Sequence, residues 1–272
     1  MRKTSDILIH IFIIVMAFIT LFPFAYMIIS SLMTFQESIS IPPRLFPADM
    51  QWSNYLEVLK RAPFARYFFN TTVVALASTT GVLITTTLAA FALVMLDFKY
   101  KNLVVFGLIS LLMIPFEAIV FTNYQTIVSL GLIDDYAALI IPFLASVFYM
   151  YYLKQYMESI PNSYYRAAKI DGCSNIEFII KVLIPIIKPA LVTVGLLSFI
   201  SSWNSFLWPL LVTNSTNMRL LNNGLSAFAT EAGAEVQLQM AASTITIVPV
   251  MIIYFIFRKQ IINGVTKNGL KG

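Results

Sequence analysis

The sequence predicts an all-α membrane protein of six transmembrane helices interrupted by one charged helical hook. Only 11% of the 272 residues are Asp, Glu, Lys or Arg, against about 25% in soluble domains. The mean hydropathy is +0.80. The uncharged residues gather into runs of about 20 or more, the length a helix needs to cross a bilayer at 1.5 Å per residue. These runs lack the alternation of barrel strands, and only helices and closed barrels leave no backbone group unpaired in lipid. The spans fall at residues 7–33, 67–96, 102–122, 136–157, 185–213 and 240–258, in one transmembrane domain over residues 1–272.

Arg2 and Lys3 precede the first run, residues 7–36, which is too long for a signal-peptide core and lacks a small-residue cleavage site. His10 reads as an interfacial side chain, not a ligand. Residues 34–66 change character: Pro42, Pro43 and Pro47 break regular structure, and Trp52, Tyr55, Leu56 and Leu59 then share one helical face. That pattern fits a short interfacial helix with Trp52 as a headgroup anchor. The second run is rich in threonine and small residues, which let helices approach closely in lipid, so packing is the expected role of most of its hydroxyls. The third run carries Pro115 and one acid, Glu117, placed late enough to reach the interface. In the link 123–135, Asp134 and Asp135 read as solvated. The aromatic-rich fourth run ends at Lys154.

Residues 158–188 form the hook. Asn162 or Ser163 can cap a short helix that Gly172 stops. Ser174 and Glu177 make a capping box for a second helix, which Pro185 and Pro189 are expected to kink or end. Asp171 lies at the first helix's C-terminal end, where the helix dipole disfavours a carboxylate, so it is expected to have a partner. The fifth run holds Ser198, Ser201, Ser202, Trp203, Asn204 and Ser205 near its middle. Polar groups there are costly against lipid and should face inward. A second irregular segment, about 213–239, precedes the sixth run.

With both termini and the hook on one side, that side carries 13 of the Lys and Arg residues and the other side 5. The positive-inside rule therefore places the termini and the hook in the cytoplasm. No basic stripe with interleaved aromatics suggests nucleic acid. One cysteine, Cys173, excludes an internal disulfide and a multi-cysteine zinc site. No nucleophile, base and orienting group lie within reach of one another, so no catalytic constellation is expected. The tail sequence from Gly264 to Gly269 only approximates a phosphate-binding loop, lacking the lysine–hydroxyl pair and a following helix. A stand-alone secondary transporter or channel would instead show intramembrane coupling charges and internal repeats, and a membrane-embedded enzyme a polar cluster at one depth.

Ala167-Ala168, then Asp171-Gly172 and Leu183-Ile184-Pro185, resemble the EAA loop of permease subunits of binding-protein-dependent ABC importers. Asn70, Met113-Ile114-Pro115, Gly131-Leu132-Ile133-Asp134, Trp203-Asn204, Trp208-Pro209-Leu210 and the closing Gly269-Leu270-Lys271-Gly272 resemble the maltose-type carbohydrate permease group, in its G-subunit branch. One departure is clear: Tyr165 and Arg166 stand where that loop carries glutamates.

The resemblance implies a type I ABC importer permease with a cytoplasmic coupling helix, in a prokaryotic inner membrane. Tyr165, Arg166, Ala167, Ala168, Asp171 and Gly172 would then couple to a cytoplasmic ATPase. The tail residues Gly269, Lys271 and Gly272 would reach toward the ATPase dimer interface, and Ser201, Trp203 and Asn204 would lie along the cavity. Implied partners are a second permease subunit in a heterodimer, two ATPase subunits and an extracytoplasmic sugar-binding protein. ATP and Mg would be bound by the ATPases, with no cofactor on this chain. Oligosaccharides and glycerol phosphate esters are both substrates within the group.

Overall fold

The computed structural model describes residues 2–230 and 233–266. Five helices are long and apolar enough to cross a membrane: Ile9–Ser31, Phe64–Met95, Tyr136–Glu158, Asn175–Trp203 and Val236–Ile256. A sixth crossing exists if Lys101–Met113 and Phe116–Ser129, bent by 98°, are taken as one span. Among the described residues the only strands are two-residue segments, Ala229–Thr230 paired antiparallel with Gly233–Ala234, so the all-α expectation holds. The chain forms two compact units, Met1–Phe64 with Gly224–Ile252 and Ala65–Asn223 with Ile253–Gly272.

In the first unit, α1 (Arg2–Ser31) exposes its whole apolar window, as a lipid-facing helix does. Its last carbonyls are closed by α2 (Ser53–Arg61). The buried Asn54 Nδ2 donates to Ser31 O and Met33 O, both at 2.9 Å, and Ser31 Oγ lies 2.7 Å from Tyr55 Oη. These contacts satisfy groups that a helix end leaves unpaired. Val58 is buried beside Asn54, while Trp52, Leu56 and Leu59 stay exposed, the outward apolar face of an interfacial helix. Arg61 pairs with Glu57 and with Glu235.

The second unit is built along α3 (Phe64–Met95). Thr86 Oγ1 donates to Val82 O, and Thr85 Oγ1 shares its one hydrogen between Gly81 O and Leu144 O. A Cβ at Gly81 would collide with Leu144, so the glycine permits this close approach. These threonines serve packing. Beyond the end of α3, Lys101 Nζ donates to Val94 O and Leu96 O at 3.3 and 3.1 Å, closing the helix's carbonyl end.

The third run departs from the sequence reading. α4 (Lys101–Ser110) tightens through Leu111–Met113 and stops, and α5 (Phe116–Ser129) leaves in a new direction. Pro115 cannot continue the helix and drives Ile114 into extended backbone, ψ 112. Glu117 is therefore in the first turn of α5, exposed, where the helix dipole favours an acid. It is not late in a span. The fourth run is also interrupted, as α6 (Tyr136–Ile140) and α7 (Val147–Glu158).

Asp134 and Asp135 are bonded rather than merely solvated. Asp135 caps α6 through Ala137 N–H at 2.7 Å. Asp134, at φ 64, accepts from Asn214 N–H and Ser215 N–H at 2.9 and 3.0 Å, and its own N–H donates to Val212 O at 2.8 Å. Burial alone would raise its pKa, but hydrogen bonds from Ser215 and Asn214 outweigh that and hold it below the usual carboxylate range.

The chain continues as α8 (Ser163–Ile170), α9 (Asn175–Trp203), α10 (Leu207–Val212) and α11 (Val236–Thr266). Of the two outcomes expected of Pro185 and Pro189, a kink or an end, the end does not occur: α9 runs on through both. A π turn over Ile179–Leu183 widens the helix just before Pro185, where the ring would otherwise strike the carbonyl four residues back. The hook's second helix and the fifth span are thus one continuous helix. It stops at Trp203, earlier than the expected 213, with Asn204 as C-cap.

Candidate functional site

The hook is a helix–turn–helix with a defined inside and outside. α8 ends in a Schellman motif: Cys173 N–H donates to Ala168 O at 2.9 Å and Gly172 N–H to Lys169 O at 3.2 Å. Gly172 takes φ 81, a conformation glycine adopts without a Cβ penalty. The capping box is complete: Glu177 N–H donates to Ser174 Oγ at 3.2 Å, and Ser174 N–H to Glu177 Oε2 at 3.0 Å. Asn162 precedes α8 but makes no side-chain cap. Inside the hook, Tyr165 Oη donates to Asn175 Oδ1 at 2.8 Å, and its ring stands edge-on to Phe178 at 5.0 Å and Phe91 at 5.8 Å. Ala168 is buried in the same cluster with Phe178, Leu183 and Met157.

The outer face is different in kind. Ile170 is 86% exposed, Tyr164 and Ile176 are exposed, and so are Arg166, Ala167, Asp171 and Gly172. No side chain among the described residues pairs with Asp171 or Arg166. The expected partner for Asp171 is therefore not found within the hook. Of the hook residues singled out from sequence, Tyr165 and Ala168 hold the structure together. Arg166, Ala167, Asp171 and Gly172 form a surface around Ile170.

At the other end of α3, Asn70 organises the segment after α10. Its Nδ2 donates to Asn217 O at 2.7 Å and Arg219 O at 3.0 Å, and its Oδ1 accepts from Tyr136 Oη at 2.5 Å. Thr71 Oγ1 accepts from Leu221 N–H at 2.9 Å. Trp208 Nε1 donates to Ala138 O at 2.9 Å, so α10 is pinned to α6. Phe91 and Asn70 are 21 residues apart on one helix, about 32 Å at 1.5 Å per residue. The hydrocarbon core of a bilayer is about 30 Å thick. The hook and the 217–221 segment therefore lie a membrane's thickness apart.

Between them is a cavity of about 240 Å³ bounded by α3, α7, α9 and α10. Ser201 lines it, with Ser202 and Ser205. Trp203 and Asn204 do not. Trp203, two residues and about 200° round the helix from Ser201, is buried against Phe68 and Phe199, and Asn204 is exposed as the C-cap, where the helix has ended. Gly269, Lys271 and Gly272 lie outside the described residues.

The model of a family described as the binding-protein-dependent transport system inner membrane component matches residues 2–267. The chain belongs to this family. It is thus an inner membrane component of a transport system, and a transport permease rather than an enzyme. The permease is 31% identical to the arabinooligosaccharides transport system permease protein AraQ of Halalkalibacterium halodurans, over 100% of its own length and 99% of the relative's. It is 32% identical to the sulfoquinovosyl glycerol transport system permease protein SmoH of Agrobacterium fabrum, over 93% and 89% of the two chains. In fold it matches the crystal structure of a bacterial ABC transporter involved in the import of the acidic polysaccharide alginate. The TM-score is 0.82 at 24% identity, over 94% of the permease and 96% of that chain.

Three groups in the permease escaped the sequence reading. Tyr164, Ile170 and Ile176 form the apolar part of the hook's exposed surface; only Ile170, about 200° round α8 from buried Ala168, could be placed outside by helical spacing. Asp134 bridges to Asn214 and Ser215, 80 residues away, which no local pattern encodes. Ser78 and Tyr149 line the cavity from different helices, and only tertiary packing brings them together.

Proposed function

We propose that the permease is the membrane subunit of a carbohydrate ABC importer, and that its hook transmits ATP-driven motion from a cytoplasmic ATPase into α9. One observation carries this reading: a single helix, α3, touches the hook at Phe91 and the 217–221 segment at Asn70, about 32 Å apart. In this reading both termini and the hook are cytoplasmic, in accord with the bias of Lys and Arg. The 217–221 segment faces an extracytoplasmic sugar-binding protein. A second permease subunit completes a heterodimer, and two ATPase subunits bind ATP and Mg. The continuity of α9 from Asn175 to Trp203 gives hook motion a rigid route into the membrane. Alternating access needs two helix arrangements that the partners favour differently.

Ala167 and Gly172 let the ATPase surface approach the hook backbone. Ile170 and Tyr164 supply the apolar contact, and Asp171 and Arg166 the charge. Ser201 faces the translocation path, and Trp203 and Asn204 act in packing and gating beside it. Arg166, in place of the glutamate of the resembling loop, meets an acidic point on the cognate ATPase. Arg166→Glu should weaken ATPase binding about tenfold or more, the scale of one lost interfacial ion pair replaced by repulsion. Equal affinity of variant and wild type, measured by titrating the purified complex, refutes this pairing. The carbohydrate class is supported by the curated relatives. It is tested by ATPase stimulation of the reconstituted complex across a panel of sugar-loaded binding proteins.

A further inference from the structure

Many hydroxyls of this protein are satisfied on their own helix. Thr72, Thr86, Thr193, Thr244 and Thr246 donate to the carbonyl four residues back on their own helix, the usual way a hydroxyl is satisfied inside a membrane. Six other hydroxyls belong to residues that line one cavity of about 240 Å³: Ser78, Tyr149, Ser198, Ser201, Ser202 and Ser205. None of these six has a hydrogen-bond partner among the described residues. Ser78 is 2% exposed and Ser198 6%, and the Ser78 Oγ is buried without any partner. A buried hydroxyl left unpaired is costly; Ser78 supplies one, and lining the same cavity are the buried Ser198, the half-buried Tyr149, Ser202 and Ser205, and the exposed Ser201, a set that suits a ligand bearing several polar atoms.

No residue lining the cavity carries a charge at neutral pH. A phosphate or carboxylate would be stripped of water there without a cation to meet it. An acyl chain would leave the hydroxyls unpaired. The volume is about that of eight water molecules at ~30 Å³ each, the scale of one monosaccharide ring. Ser78 is eight residues from Asn70 and 13 from Phe91 along α3, so the cavity lies within the membrane's thickness, nearer the 217–221 segment.

We infer that this subunit itself holds an uncharged sugar ring in transit, through the hydroxyls of Ser78, Tyr149, Ser198, Ser201 and Ser202. The inference rests on the carbohydrate-importer reading and deepens it: the substrate segment that passes here is a neutral polyol, not a phosphate or uronate.

The test uses the complete complex in proteoliposomes, with its partner permease, ATPases and binding protein. Uptake of labelled neutral saccharides and ATP hydrolysis are measured together. The triple variant Ser78→Ala, Ser198→Ala, Ser202→Ala should unfold at the same temperature as wild type or higher, because it removes unpaired hydroxyls. Its uptake per ATP hydrolysed should fall at least tenfold. Ser198→Leu, which fills the cavity, should do the same. If both variants keep wild-type uptake per ATP, the cavity binds no substrate and the inference is overturned, while the importer reading stands. If wild type carries a phosphorylated polyol as well as a neutral sugar, the neutral-ring assignment is overturned. If wild type takes up no saccharide, the carbohydrate reading falls and the inference with it.

Discussion

Asn70→Ala should uncouple the permease from its binding protein without touching the hook. The Asn70 side chain is fully buried and makes three hydrogen bonds, to Asn217 O, Arg219 O and Tyr136 Oη. Alanine deletes all three. Asn217 is exposed and Arg219 half-buried, so water can recover the Asn217 carbonyl. The Arg219 carbonyl and the Tyr136 hydroxyl keep most of their loss. At ~1 kcal/mol per net bond, the local cost is about 2 kcal/mol. That corresponds to roughly 30-fold faster amide exchange through opening of the 217–221 segment, at 1.4 kcal/mol per factor of ten. The assay is hydrogen exchange on the complex, with basal and binding-protein-stimulated ATPase activity measured in parallel. Exchange should rise at residues 217–221 and not at residues 163–178, and stimulation should fall while basal activity stays. Unchanged exchange at 217–221 would refute the role of Asn70 as the organiser of this end.

Gly172→Ala meets no neighbouring atom yet must hold φ 81, at a cost of about 1 kcal/mol. ATPase affinity should drop about fivefold, and Gly172→Asn, better tolerated in that conformation, should lose less. Asp134 has a folded pKa below its ordinary value. Its contribution is therefore present above the ordinary carboxylate pKa of about 3.9 and is lost as pH falls through the lower folded value. Thermal unfolding should show Asp134→Asn less stable than wild type from pH 5 to 8, with the gap closing below about pH 4.

What could be read from sequence was local. The capping box of Ser174 and Glu177, the stop at Gly172 and the apolar runs are encoded within a few residues, and the structure contains them. The break at Pro115 is invisible to hydropathy, which averages over a turn that leaves the chain apolar while changing its direction by 98°. Pro185 misled in the opposite sense. A proline is a helix breaker by local rule, but a π turn upstream absorbs it and leaves α9 intact. Tyr165 was singled out as a contact residue, and its bond to Asn175 turns it into the hook. Asn70 stands out in sequence only through resemblance, since its partners lie 66, 147 and 149 residues away. The cavity serines looked like one polar patch on one helix. Which of them meet Ser78 and Tyr149 depends on how α3, α7 and α9 pack.

A cytoplasmic docking hook must be reachable from the cytoplasm and covered by its ATPase. Ala167→Cys in a Cys173→Ser background leaves one thiol, since Cys173 is the sole cysteine. Ala167 is exposed on α8, so a membrane-impermeant maleimide can reach it from its own side. Labelling should occur in inside-out vesicles stripped of ATPase and not in intact spheroplasts, and adding back the cognate ATPase should protect the thiol. Labelling in spheroplasts, or labelling that the ATPase does not slow, would contradict the docking role of the hook.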